Sequence, residues 1–186
     1  ETPVAHEGHR PPVQTPLGTI HFLVHHPTPP VFDGPEDRNG QRNRDEIRLW
    51  AEYISEGEKP WLCDDRGVCG GLPAPALFVI AGDHNADPVD GDSAAGAIEQ
   101  LLGNPRVLRY PAPESEGAVV AARSTGGGNL SHKGSPAQDT GDFGPKVGNL
   151  RLDYVLPSVG LTVRSGGVFW PKPGAIGADW IGATDH

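Results

Sequence analysis

Ala76-Leu77-Phe78-Val79-Ile80-Ala81-Gly82-Asp83-His84-Asn85-Ala86-Asp87-Pro88 is the stretch on which the reading of this 186-residue chain turns. Its six apolar residues, entered through Pro73 and Pro75 and left through Gly82, are few for a helix. Their Val, Ile and Phe side chains suit a strand covered on both faces. Residues two apart on an extended chain point the same way. Asp83 and Asn85 are therefore expected to leave the carboxyl end of this strand together, where open α/β sheets place their ligands. A carboxylate beside a carboxamide suits a phosphate ester. The acid orients a water or holds a divalent cation, and the amide donates to a phosphoryl oxygen.

Two plainer readings compete. Asp, Asn, Pro and Gly in one cluster often make only a turn, because Asx side chains bond their own backbone. The alternation of Asp83, Asn85 and Asp87 also imitates the start of an EF-hand calcium loop. That loop needs Gly next and an acid at its twelfth position, and this chain has Pro88 and Ala94 there.

The length predicts one domain with an ordinary core. Gly 26 and Pro 20 make about a quarter of the chain, but they fall between distinct apolar runs, so a loop-rich globular fold is expected rather than disorder. No stretch reaches the roughly 20 apolar residues that span a bilayer. A formal charge of −9 argues against a surface built for tight nonspecific nucleic-acid binding. It leaves a phosphate substrate open, since an acidic site recruits a cation that inverts the local field. Cys63 and Cys69 bracket a turn-like segment, which favours a disulfide and an oxidising compartment; without nearby His they make a poor zinc site.

Along the chain, residues 1 to 17 read as loop and Thr19 to His26 as a strand stopped by Pro27. Arg42 to Ser55 reads as an amphipathic helix with Ile47, Trp50, Ala51 and Ile54 on its apolar stripe. A second helix is expected from a Ser93 cap to about Leu102. Residues 111 to 148, poor in large apolar side chains, read as a long loop. Asn149 to Pro157 reads as a strand with Leu150, Leu152, Tyr154 and Leu156 on one face. Residues 161–164 and 167–170 read as a further, bent strand, and no internal repeat is evident.

Three motifs then line up in order: Val-His-His-Pro-Thr-Pro-Pro at 24–30, Ile-Ala-Gly-Asp-His-Asn-Ala-Asp-Pro at 80–88, and Arg-Leu-Asp-Tyr-Val-Leu-Pro-Ser at 151–158. With Thr-Asp-His at 184–186, the chain resembles the endonuclease/exonuclease/phosphatase superfamily, the fold of pancreatic deoxyribonuclease and of abasic-site endonucleases. The Pro-rich stretch at 27–46 resembles a branch of secreted bacterial members.

The resemblance implies an α/β fold, part of a two-sheet sandwich with a mixed sheet flanked by helices. It also implies a metal-dependent phosphoesterase, with Mg²⁺ or else Mn²⁺ or Ca²⁺, acting on a nucleic acid or small-molecule phosphate ester. Residue by residue it gives His26 as the contact to the scissile phosphate and an acid, Asp83 as the group that positions or deprotonates water, and Asn85 as the holder of the phosphate. Asp153 orients the final His, Asp185 is linked to the metal, and His186 is that final His. Arg42 is a candidate substrate contact, although Arg38, Arg42 and Arg44 are most simply a solvated helix entrance. Taken alone, His26 is an ordinary strand-end histidine that nothing distinguishes from His25.

The departures are an early Asn and a metal-binding Glu, for which no motif is found, and the missing final strand after His186. They imply a single incomplete domain over 1–186, the C-terminal half to two-thirds of such a fold. A secreted or periplasmic monomer is expected. The rival reading is a non-catalytic module that keeps the fold and binds a ligand or partner without turnover.

Overall fold

The computed structural model of the chain describes residues 11–16 and 18–183. In chain order its elements are β1 (Pro12–Thr15), β2 (Gly18–Val24), α1 (Arg38–Ile54), β3 (Leu77–Asp83), α2 (Glu99–Leu102), α3 (Glu116–Thr125), β4 (Gly141–Asp142), α4 (Gly144–Val147), β5 (Asn149–Leu150) and β6 (Asp153–Pro157). Short 3₁₀ turns occupy Gly127–Leu130 and Ala178–Trp180. The main sheet is mixed, in the order β1-β2-β3-β6, and β4 and β5 form a small second sheet. β2 runs parallel to β3, while β1 and β6 are antiparallel to their neighbours. The fold is thus α/β with a mixed sheet and flanking helices, as the sequence implied.

The α1 stripe explains the core. Ile47, Trp50, Ala51 and Ile54 recur at helical spacing and are all buried with Leu23, Phe78, Ile80, Tyr154 and Leu156 of the sheet. Fully burying one such side chain stabilises the fold by about 1.5–3 kcal/mol. Phe78 and Ile80 lie in this core, whereas Leu77, Val79 and Ala81, on the other face of β3, are only half-buried. The expectation of a strand covered on both faces is met on one face and only in part on the other. Polar residues join the same helix surface. Asn43 and Glu46 are buried because they bind the loop after β2, with Asn43 Nδ2 donating to Thr28 O at 2.9 Å and Glu46 accepting from Thr28 N at 2.6 Å.

Other expectations are revised. The helix expected from Ser93 shrinks to Glu99–Leu102 because Gly96 takes φ +77°, outside the helical region, and Ser93 Oγ donates to Asp87 O instead of capping. The long loop at 111–148 contains α3, whose Ser115 cap accepts from Gly117 N at 3.0 Å. Only small residues of α3 are buried, Gly117, Ala118 and Ala122, so no large-apolar stripe announces it. The strand expected at 149–157 breaks at Arg151, whose N–H donates to Asp87 Oδ2 at 2.8 Å, although Leu150, Leu152, Tyr154 and Leu156 are all buried. Residues 161–170 form no strand. They cross the start of α3, where Ser115 Oγ donates to Trp170 O. Part of the expected loop at 1–17 is β1, and residues 1–10 and 17 lie outside the described residues.

Arg106 ties down the end of the sheet remote from Asp83. Its guanidinium is buried and donates to the carbonyls of Ile54, Leu72, Pro73 and Ala76. Nearby, Cys63 and Cys69 form the expected disulfide. Closing so short a loop removes little chain entropy, so reducing it is expected to cost only about 2 kcal/mol. Urea unfolding of the oxidised protein and of a Cys63→Ser/Cys69→Ser variant checks this; a loss above about 5 kcal/mol would contradict it. Among the described residues no helix is long and apolar enough to cross a membrane.

Candidate active site

The topology brings three of the candidates to one sheet end. β2 and β3 are parallel, so His26, two residues past β2, and Asp83, the last residue of β3, emerge together. β6 is antiparallel to β3 and starts there, with Asp153 directly opposite Asp83. His26 Nε2 lies 3.5 Å from Asp83 Oδ2; the ring is largely open to solvent, while the carboxylate is 10% exposed.

Asn85 reaches the same place by a different route from the one its spacing implied. The strand stops at Asp83 and Asn85 takes φ +50°, so simple alternation no longer applies. Its N–H donates to Asp83 Oδ1 at 2.7 Å, and its Nδ2 donates to Pro27 O at 3.1 Å. Asn85 therefore links Asp83 to the segment that follows His26. Arg42 stands one step further out. Its Nε is 3.5 Å from Glu46 Oε1, and Glu46 in turn holds Thr28. Asp185 and His186, with Thr184, lie outside the described residues.

His25 and His26, indistinguishable in the sequence, have opposite environments. His25 is buried, its ring edge-on to Trp50 at 6.0 Å and to His84 at 5.6 Å. His84, between Asp83 and Asn85, is also buried and meets Tyr154 edge-on at 5.5 Å. Burial, and then the neighbouring imidazoles, push His25 down to about 3. Burial also pushes His84 down to about 4, against the opposing influence of its hydrogen bond to Gly82 O and of Asp153. Both rings are neutral at pH 7. His84 and Thr140 were missed as site residues. Thr140 Oγ1 accepts from both Leu152 N and Asp153 N at 3.0 Å and so sets the start of β6, and it sits in a segment with no periodic signal. His84 lies just past the end of β3, where strand alternation gives no reading of its direction.

Gly82 makes the close approach possible. It takes φ +146°, and a Cβ there would lie 2.0 Å from His25 O. We expect Gly82→Ala to cost roughly 2–3 kcal/mol from backbone strain and displacement of His25, measurable as a lowered urea midpoint. A variant as stable as the parent would show that the two strand ends are not held this closely.

A cleft of about 420 Å³ opens beside this end of the sheet, lined by Gly82, Asp153, Thr140, Arg151, Tyr110 and Phe169 among others. A larger recess of about 550 Å³ between the end of α1 and the cystine loop contains none of the candidates. Among the described residues no three His, Cys, Asp or Glu side chains are grouped to hold a metal ion.

The sheet end presents a histidine against a largely enclosed carboxylate, with a second acid on the adjoining strand, at the strand ends where open α/β sheets place their ligands. The sequence profile of the Endonuclease/Exonuclease/phosphatase family matches residues 5–186, and the chain belongs to that family. Two solved structures are similar to it. Beta toxin from Staphylococcus aureus shares 10% identity over 80% of this chain and 41% of its own, with a TM-score of 0.42. Sphingomyelinase C from Streptomyces griseocarneus shares 14% identity over 84% of this chain and 44% of its own, with a TM-score of 0.43. The chain thus spans less than half the length of these two structures. A comparison with curated proteins returns no match.

Proposed function

We propose that the chain carries the water-activating side of a metal-dependent phosphoesterase. The observation that supports this most is the meeting of His26 with Asp83 at the strand end where Asn85 is tied to Asp83 and to Pro27, the residue after His26. Asp83 accepts a proton from water as the water oxygen bonds to phosphorus, and the ester P–O bond opposite breaks. The departing alkoxide takes a proton from His26 or His186. Asn85 Nδ2 has a second hydrogen beyond the one on Pro27 O, and this is offered to a phosphoryl oxygen. Asp153 orients His186, and Arg42 adds positive charge near the substrate.

The described part of the site does not by itself fit a metal ion, so the steps run through side chains alone. Mg²⁺, with Mn²⁺ or Ca²⁺ as substitutes, belongs to the proposal through Asp185, and when bound would stabilise charge on the phosphoryl group. The disulfide supports an oxidising compartment, and we propose a secreted or periplasmic monomer.

The test is hydrolysis of bis(4-nitrophenyl) phosphate and 4-nitrophenyl phosphate by the full-length protein, with added Mg²⁺ and with excess chelator. Turnover of either ester with Mg²⁺ and its loss in chelator is expected. Undiminished turnover in chelator removes the metal from the proposal, and no turnover of any phosphate ester leaves the binding-module reading.

A further inference from the structure

Behind the candidate site lies a buried polar cluster that the chemistry above does not use. His25 Nδ1, His84 Nε2, Trp50 Nε1 and Asn43 Oδ1 are all enclosed and make no hydrogen bond. In a packed interior an orphaned polar atom is costly, and such a group calls for an explanation. A phenyl ring would fill the same space in the edge-on stack of Trp50, His25, His84 and Tyr154 without that cost. Something other than packing therefore favours an imidazole at position 84.

Among the described residues, the one hydrogen bond of the His84 ring points to what that is. His84 Nδ1 lies 3.0 Å from Gly82 O. A carbonyl only accepts, so a neutral ring places its hydrogen on Nδ1 and leaves Nε2 as the bare, unpartnered nitrogen. The bond closes a short loop around Asp83, from the residue before it to the residue after it. Gly82 is held at φ +146° at the point where its backbone passes closest to His25 O. His84 O also accepts from Asn43 Nδ2 at 3.0 Å, so both ends of the loop are fixed to the interior. The direction in which Asp83 leaves the strand follows from the two peptides so held.

We propose that His84 is a positioning residue: its Nδ1–H···O=C bond to Gly82 sets the Asp83 carboxylate against His26 and the substrate phosphate, with the His25 ring as its packing support. The role rests on the phosphoesterase reading for its effect on rate, but the geometry it asserts is measurable without turnover. His84→Phe keeps the ring and removes the bond. His84→Asn places an amide N–H close to where Nδ1–H stands.

In the full-length protein His84→Phe is expected to melt no lower than the parent, because it removes an orphaned nitrogen. Its kcat should fall at least tenfold while KM stays within twofold, and His84→Asn should recover most of the lost kcat. Parental kcat in a folded His84→Phe protein, or a fall in His84→Phe that His84→Asn does not recover at all, overturns the proposal. Carbon-detected NMR of the Asp83 carboxyl and the His26 ring serves if no phosphate ester is turned over. Both resonances should move in His84→Phe and return toward parental positions in His84→Asn. Unmoved resonances overturn the positioning role independently of the function.

Discussion

Replacing Asp83 by Asn is expected to lower kcat for phosphodiester hydrolysis by roughly 10³-fold while leaving KM within a few-fold and the fold intact. General-base and charge effects of one positioned side chain are typically worth about 10²–10⁴. Asp83 sits toward the upper part of that range because one group serves several contacts. Oδ1 receives the Asn85 N–H at 2.7 Å and Oδ2 faces His26. Asn keeps the size and, through Oδ1, an acceptor for the Asn85 N–H, but it loses the charge, and its Nδ2 in place of Oδ2 takes no proton from water. Steady-state kinetics on the purified variant, with circular dichroism to confirm folding, checks this. Activity within threefold of the parent would remove Asp83 from the role assigned to it.

The second large effect is acid sensitivity from the core. His25 and His84 bind protons more weakly when folded than when unfolded, with values of about 3 and about 4 against 6.5. Their contribution to stability is complete above pH 6.5 and is withdrawn as the pH falls toward those values. Asp139 works in the opposite direction. Burial, then the charges of Asp87 and Asp90, push its carboxyl up to about 6, with His132 opposing. Its contribution is complete below the unfolded carboxylate value and is lost as pH rises through 6. Each histidine withdraws on the order of a few kcal/mol between pH 6.5 and 4, the two shares overlapping because the His84 charge is among the causes of the His25 shift, and Asp139 returns part of that loss between pH 6 and 4. The net loss is large against the small stability of an ordinary domain. Urea midpoints measured at pH 7, 5.5 and 4.5 should fall steadily, and His84→Phe should flatten the fall by about half of the histidine share. An equal slope in the variant would show that His84 titrates normally.

What the sequence made legible, and what it hid, follows from how each element is stabilised. β3 and α1 are held by large apolar side chains, and those leave a run or a period that can be read: Phe78 and Ile80 in one, Ile47, Trp50 and Ile54 in the other. α3 is held by close approach of small residues. Gly117 passes so near Trp170 O that a Cβ would lie 1.7 Å from it, and neither Ala118 nor Ala122 marks a stripe. The short α2 shows the converse, an apolar period cut by one glycine in a left-handed conformation at Gly96. At the candidate site, strand order decides which motifs meet, and the motifs at 24–30, 80–88 and 151–158 do arrive at one sheet end. The inward set was not read, because polar residues such as His25 and His84 at strand ends and Asn43 on α1 are expected to face solvent, and here close-packed rings and the loop after β2 exclude it.

The strand order also carries a kinetic consequence. Val24 pairs with Ala81 and Asp83 with Asp153, so both edges of β3 are closed by partners 57 and 70 residues away, while among the described residues of the main sheet only the β1–β2 hairpin is local. Loop closure must precede each distant pairing, and sheets built this way fold on the millisecond-to-second scale. During that interval the most apolar strand of the chain has two unpaired edges. Refolding yield should therefore fall as protein concentration rises, through intermolecular pairing of β3, and should recover on dilution.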